Sequence, residues 1–289
     1  LAQSGRFISF AQNGEDVVLN RVLGKLPIGT YVEIGANHPR IDSVSRSFYD
    51  RGWSGIAVEP NPYYAALYRA ERPRDHTIEA AVTSSTEPNI IFHLIEGTGL
   101  STLVDAVSVD HASQGMTVVD VVVPTIRLDE VIAMNGLGGA EIHFLMIDTE
   151  GAELQVLQSI DLTKVRPWIL IIEATAPGSP IATHAEWEQL VLGAGYQLCL
   201  FDGLSRFYVS AEKMDELAGP LSYPVCVFDD FVTIEQLRLL EDLESANATL
   251  DEVRDLLAAA NHAITDLHAS RSWRVTSVLR KAVDICRGR

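Results

Sequence analysis

The sequence predicts an α/β fold, a doubly wound sheet with a C-terminal helical extension. Three observations predict it. Apolar strand-like runs alternate with helical patterns over 31–82, which is the opening of a β-α-β-α-β unit. Two later runs, 142–147 and 168–172, are continuously apolar, as strands buried on both faces are. From Ile234 the pattern changes to a helical repeat that holds to about Leu267.

The stretch Thr30–Asn37 organises the first half. Tyr31, Val32 and Ile34 are β-formers around an acid, Glu33, and Gly35 follows where the chain must turn. A carboxylate in a buried strand requires a partner, either a ligand or an internal cation. A second strand, Gly55–Val58, ends in Glu59, the position at which open α/β folds hold a ribose. The segment 35–39 (Gly-Ala-Asn-His-Pro) is not the G-x-G-x-x-G fingerprint that seats a pyrophosphate. An acid in front of a single glycine repels phosphate and attracts a cation. The phosphate-free adenosine ligand of that description is S-adenosylmethionine. A nicotinamide-dependent dehydrogenase is weakened by the missing glycines.

In chain order, residues 11–19 start a helix running to about Leu23, with Asn13 as N-cap and Glu15 and Asp16 in the first turn. Gln12 and Asp16 either belong to that capped start or lie over the cofactor. Residues 41–51 form a helix ending at Gly52, and another begins near Tyr63 after Glu59-Pro60-Asn61-Pro62. Residues 77–82 make a third strand. Residues 89–95 and 117–126 pair around a polar loop positioned to cover a pocket, and 127–132 start a short helix. Strand 142–147 ends in Asp148-Thr149-Glu150-Gly151-Ala152-Glu153, and strand 168–172 ends in Glu173. Acids at the carboxyl ends of buried strands mark a ligand site in this class. His184 lies on the next connection. A last strand pair, 198–200 and 207–209, is joined by a turn that brings Asp202 and Arg206 near one another.

Composition bounds the function. The 289 residues are 47% hydrophobic and carry a net charge of -17, which excludes nucleic acid as a partner. No apolar run approaches the roughly 20 residues of a membrane span. The first residues, Leu-Ala-Gln-Ser-Gly-Arg, lack the basic-then-apolar layout of a leader, so a cytoplasmic location is expected. Cys199, Cys226 and Cys286 are too dispersed for a metal knuckle. Leu239, Leu243, Ala246, Leu250, Val253, Leu257, Ala260, Ile264 and Leu267 alternate steps of four and three. This seam fits a homo-oligomer, a dimer, better than a helix lying along the domain. The basic end from Arg271, with Trp273, Val275, Val278 and Leu279, is either a surface helix or a peripheral membrane or partner contact.

The stretches 11–19, 31–37, 42–62, 143–153, 171–175 and 201–209 together resemble the FkbM-type methyltransferase family over about 7–231. The resemblance implies a class I methyltransferase fold, Rossmann-like and mainly parallel with an antiparallel strand at the end. It implies S-adenosylmethionine as methyl donor and O-methylation, often of sugars in glycans, glycolipids or natural products. Glu33, Gly35 and Asn37 fall on the methionine-binding turn, Glu59 on the ribose position with Asn61 after it, and Ala81 near the adenine. Asp148, Glu150 and Glu153 fall on the family's Asp-x-Glu-Gly-x-Glu stretch. The expected domains are 1–231 for catalysis and 232–289 for the helical extension. For removing the acceptor proton, Asp148, Glu150, Glu173 and His184 are the candidates. Asp148 and Glu173 end neighbouring strands, where paired carboxylates suit Mg²⁺; the metal-free version uses Asp148 or His184 as base. The reading from another class is a non-catalytic scaffold, its coiled coil gathering partners on a degenerate cofactor fold.

Overall fold

The computed structural model describes residues 5–95 and 97–286; the first four residues and the last three of the basic tail lie outside the described residues. The chain divides into two compact units, residues 1–233 and 234–289.

The first unit runs β1 (Phe7–Ser9), α1 (Glu15–Leu23), β2 (Thr30–Ile34), α2 (Arg46–Asp50), β3 (Ser54–Val58), α3 (Pro62–Glu71), β4 (His76–Ile78) and β5 (Ala81–Val82). It continues through β6 (Asn89–Ile95), α4 (Asp105–Ser113), β7 (Val118–Ile126), α5 (Leu128–Met134), β8 (Phe144–Ile147), α6 (Glu153–Leu157) and β9 (Ile169–Glu173). It closes with α7 (Glu188–Gly193), β10 (Tyr196–Phe201), β11 (Ser205–Ser210), α8 (Met214–Leu221) and β12 (Phe231–Thr233). Seven strands form the main sheet in the order β10-β11-β9-β8-β2-β3-β4. β2, β3, β4, β8 and β9 are mutually parallel, and β11 runs antiparallel to both β9 and β10. The chain first winds outward from β2 to β4, then returns to place β8 on the other side of β2. That reversal makes the β2/β8 boundary the switch point where ligands bind.

Strand alternation divides the core. Val32, Ile34, Leu145, Ile147, Leu170 and Ile172 enter one apolar layer. Tyr31, Phe144, Met146, Ile169 and Ile171 enter the other, with Phe48 and Trp53. The same period of two carries Glu33, Asp148 and Glu173 onto this second face.

Three expectations change in detail. The 77–82 segment is two strands: β4 joins the main sheet, while β5 pairs with β7 in a second sheet of order β5-β7-β6. The predicted 41–51 helix shrinks to Arg46–Asp50, because Asp42 takes a left-handed backbone (φ 54). The N-cap of α1 is Gly14 rather than Asn13: Gly14 is left-handed (φ 77), and the Glu15 carboxylate accepts instead from the Asn13 N–H at 3.0 Å.

In the second unit, α9 (Ile234–Ala269) is one continuous helix of 36 residues with no buried residue. Two short basic helices follow, α10 (Arg271–Val275) and α11 (Ser277–Cys286), where the Arg280 guanidinium lies 3.7 Å over the Trp273 ring. Among the described residues, no helix is long and apolar enough to cross a membrane.

Candidate active site

A cavity of about 380 Å³ opens at the carboxyl ends of β2, β3, β8 and β9, within the size range of small-molecule sites. Its floor depends on Gly35, which has a φ of +77; a Cβ there would stand 1.7 Å from the Asp148 carbonyl oxygen. Only glycine permits β2 and β8 to approach so closely at their tips. Asn37, Asp42 and Glu150 line the same cavity and are three of the four described non-glycine residues with positive φ. Backbone strain of this kind concentrates where a site must be shaped.

At the tip of β3, Glu59 is aimed by two backbone N–H groups. One oxygen accepts from Asn37 N at 2.6 Å, the other from Asn61 N at 2.7 Å. Asn61 in turn caps α3 by accepting from Tyr63 N, with Pro62 in the first turn. Burial pushes the Glu59 carboxyl up to about 7, against those two N–H groups, which pull it down. A carboxylate oxygen accepts more than one hydrogen bond, so both oxygens keep capacity for a diol.

Across the switch point, β8 and β9 run in register with Ile147 opposite Ile172, which sets Asp148 beside Glu173. Asp148, Glu150 and Glu173 each offer an oxygen within 4.8 Å of the others. Glu173 Oε2 and Glu150 Oε2 are buried without a hydrogen-bond partner. Burial first, then the neighbouring carboxylates, raises the Glu173 and Glu150 carboxyls far above their ordinary range. Asp148 is raised by burial to about 6, and its hydrogen bond with Glu173 pulls it down. Glu153 holds this loop: its Oε1 accepts from Thr149 N, Thr149 Oγ1 and Gly151 N, all at 3.0–3.1 Å. On the outer wall, Thr102 donates to the Glu150 carbonyl at 2.7 Å. The 97–104 segment therefore does form a wall of the pocket, through Gly99, Leu100, Ser101 and Leu103.

The lining is acidic and holds no cation. Six carboxyl groups line the cavity (Glu33, Asp42, Glu59, Asp148, Glu150 and Glu173), and among the described residues no Lys, Arg or His does; Glu150 and Glu173 are raised into the protonated range, so the negative charge rests mainly on Asp42, Glu59 and Asp148. Such a wall rejects a phosphate and favours a cationic or polyhydroxylated ligand. The Methyltransferase FkbM domain matches residues 33–198, more than half of the chain and the segment that supplies all of the cavity's lining but Gln12 and Leu204. The chain belongs to the FkbM methyltransferase family. No curated protein matches it. Among solved structures, a TehB-like SAM-dependent methyltransferase from Corynebacterium glutamicum is similar at 8% identity and a TM-score of 0.37, over 69% of this chain and 88% of that one. The CurJ carbon methyltransferase is similar at 9% identity and a TM-score of 0.38, over 70% of this chain and 56% of its own. Both are too distant to speak to the substrate.

Within this FkbM domain, the cavity gathers Gln12, Glu33, Gly35, Asn37, Glu59, Asn61, Ala81, Asp148, Glu150 and Glu173. Two residues proposed from the sequence are elsewhere. Asp16 is fully buried and its carboxylate is consumed by Ser9 Oγ (2.7 Å) and Phe10 N (2.8 Å), so it ties β1 to α1 instead of covering a cofactor. His184 does not line the cavity; its Nε2 faces Glu188 at 4.0 Å. His184→Ala is accordingly expected to leave turnover within about twofold of the parent, read in a methyl-transfer assay, since no reacting group would lose its base.

Glu33 needs a sharper correction. Although it touches the cavity, its carboxylate accepts from Ser45 N (3.0 Å), Ser45 Oγ (2.6 Å) and Tyr68 OH (3.2 Å), and lies 3.9 Å from Arg72. Arg72, fully buried, is the internal cation that makes the acid tolerable in a strand. Glu33 thus holds the cavity wall, while Glu59, which takes only N–H groups, keeps its face toward the cavity. The turn after β10 brings Asp202 and Arg206 to neighbouring positions of one hairpin, with Phe201 opposite Arg206, but each takes another partner: Arg206 pairs with Glu188 at 2.6 Å, and the Asp202 Oδ1 accepts from Leu204 N and Ser205 N. Arg72 is the residue the sequence reading missed; Glu153 was named on the Asp-x-Glu-Gly-x-Glu stretch, but without its role of holding the loop. Glu153 had a signal in its spacing of four from Thr149, but nothing near Arg72 pointed to residue 33.

Proposed function

We propose that this FkbM-family protein is an S-adenosylmethionine-dependent O-methyltransferase whose acceptor is a hydroxyl of a sugar, free or within a glycan or glycolipid. The observation that carries the reading is the cation-free cavity lined by six carboxyl groups at the switch point. When bound, the cofactor supplies an electrophilic methyl on a sulfonium centre. The structure fits it in three places. The Gly35 turn admits close backbone approach, Glu59 is held open to a ribose diol, and Ala81 and Val82 offer an apolar wall for the adenine. No cradle of helix-terminal N–H groups for a phosphate is needed.

The acceptor end falls to the acids of β8 and β9. Asp148 and Glu173 share a hydrogen bond, so one carries the proton and the other is free to accept one. The ionised member takes the hydroxyl proton as the oxygen attacks, and the pair then loses a proton to solvent. The fixed loop around Glu153 holds Asp148 and Glu150 in place, which lowers the cost of orienting the acceptor.

The same three carboxylates suit a hard divalent cation such as Mg²⁺. Oxygen ligands at about 2.1 Å stand about 3–4 Å apart. The observed span of up to 4.8 Å needs only a small closure. Two orphaned carboxylate oxygens mark what such an ion would satisfy. It would acidify the acceptor hydroxyl.

Calorimetry decides between this reading and a non-catalytic scaffold. S-adenosylmethionine is expected to bind with measurable heat, and Mg²⁺ titrated alone is expected to bind and to raise Tm. Absence of cofactor heat sinks the enzyme; cofactor heat without a metal signal, and full activity after exhaustive chelation, leaves the metal-free mechanism.

A further inference from the structure

The helix α9 carries a second feature, outside the cavity. Its seam positions are open: Leu239 is 68% exposed, Leu243 57%, Leu250 53%, Val253 54%, Leu257 61%, Ile264 54% and Leu267 53%. A helix of 36 residues is about 54 Å long, and a pair joined along this seam buries roughly 1,500 Å², the size of a stable interface. Charge is arranged to permit self-pairing in a chain of net charge -17. Glu241, Asp251, Glu252, Asp255 and Asp266 lie on the outer face. Beside the seam Asn247, Thr249, Leu256, Asn261 and Ala263 are neutral, and of the charged residues there Asp242 lies near one end while Arg254, next to the axis, pairs with Asp251 of its own helix at 3.2 Å.

The distribution of small residues sets the direction. We infer that α9 forms an antiparallel two-helix coiled coil with a second copy of this chain, its two-fold axis passing at residue 255. In that register Leu243 faces Leu267 of the partner helix, Ala246 faces Ile264, Leu250 faces Ala260, and Val253 faces Leu257. Each alanine meets a large side chain, so the inner layers have similar thickness and the helices stay evenly spaced. A parallel pair in register sets Ala246 on Ala246 and Ala260 on Ala260 between Leu–Leu layers. Leucine then holds the helices apart and leaves a void at each alanine layer, a packing defect of the kind a core leucine replaced by alanine creates. Leu256, 71% exposed and off the seam, sits beside the axis and meets its own copy. This inference is independent of the cavity and of the chemistry proposed for it.

Cysteine cross-linking on the 289-residue chain tests it. In a background with Cys199, Cys226 and Cys286 replaced by serine, Ala246→Cys combined with Ile264→Cys is expected to yield a covalent dimer under mild oxidation. Ala246→Cys alone is expected to yield none. Cross-linking by Ala246→Cys alone overturns the direction in favour of a parallel pair. Sedimentation at about 20 μM is expected to show a dimer for the parent chain and a monomer with an unchanged domain melting transition for Leu250→Glu/Leu257→Glu. A monomeric parent, or a variant that remains dimeric, overturns the pairing itself.

Discussion

Glu59→Gln is expected to weaken S-adenosylmethionine binding by about ten- to a hundredfold, the loss of charge-assisted hydrogen bonds of ~1.5–3 kcal/mol. The amide keeps the shape of the carboxylate but replaces an acceptor with a donor. One of the N–H groups of Asn37 and Asn61 then faces an NH₂, and the side chain must rotate away from the ribose position. Calorimetric titration reads the change directly. The pH dependence separates this from general damage. Burial raises the Glu59 carboxyl from 4.5 to about 7, so the free protein increasingly holds the neutral form as pH falls below 7. Cofactor affinity of the parent is expected to fall over that interval, and the Gln variant to lack the dependence. Folding carries the opposite sign. A raised folded-state pKa stabilises the protein below about 4.5, and that contribution, on the order of 3 kcal/mol, is lost as pH rises through about 7. Bound cofactor is expected to flatten the decline, because its hydroxyls stabilise the ionised carboxylate.

Glu173→Gln is expected to lower turnover by about 10²–10⁴, the range for general acid–base catalysis, because Asp148, the ionised member of the pair, then has no carboxyl partner with which to share and release the proton it takes, while cofactor affinity changes by less than about threefold. Stability is expected to move the other way. Asp148, Glu150 and Glu173 crowd three acids into one buried corner, and Glu173 Oε2 and Glu150 Oε2 have no partner there. Removing one potential charge relieves repulsion, and each kcal/mol recovered raises Tm by about 2–4 °C in a domain of this size. The sign of the pH dependence follows from the raised carboxyls. Their contribution to stability is complete below the ordinary carboxylate range and is lost as pH rises through the folded-state values, with Glu150 at about 9. The gain in Tm is therefore expected to be larger at pH 9 than at pH 5. A Glu173→Gln protein that is more stable yet inactive shows that the corner is kept for chemistry at the expense of stability. If it retains full turnover, Glu173 is neither the proton-sharing partner of Asp148 nor a metal ligand.

Much of this site was legible because β-structure has a period of two. Asp148 and Glu173 close apolar runs and Glu33 lies one residue short of the end of its own, so alternation sets each on the face of Tyr31, Met146 or Ile171 in its own strand, and the pairing of β2, β8 and β9 makes those faces one. The ends of those runs, together with Gly35 and Glu59, marked a ligand site, and the strand order then placed it at the switch point. Helix boundaries were less legible. The 41–51 segment reads as a helix by composition, yet Asp42 turns left-handed beside the cavity and only five residues close into α2.

What the sequence determined by itself was therefore local: which runs become strands, which ends carry acids, that no phosphate fingerprint is present, and where the seam of α9 lies. These follow from side-chain periodicity and backbone preference, which need no knowledge of distant residues. Only the tertiary structure decided what each acid does. Arg72 reaches Glu33 from 39 positions away and converts it into a wall, Glu153 is spent on the loop, and the register of β8 against β9 joins Asp148 to Glu173. The physical reason is that the state of a buried carboxylate is set by the nearest cation, donor or second acid, and which of these is nearest depends on how strands pair across the sheet.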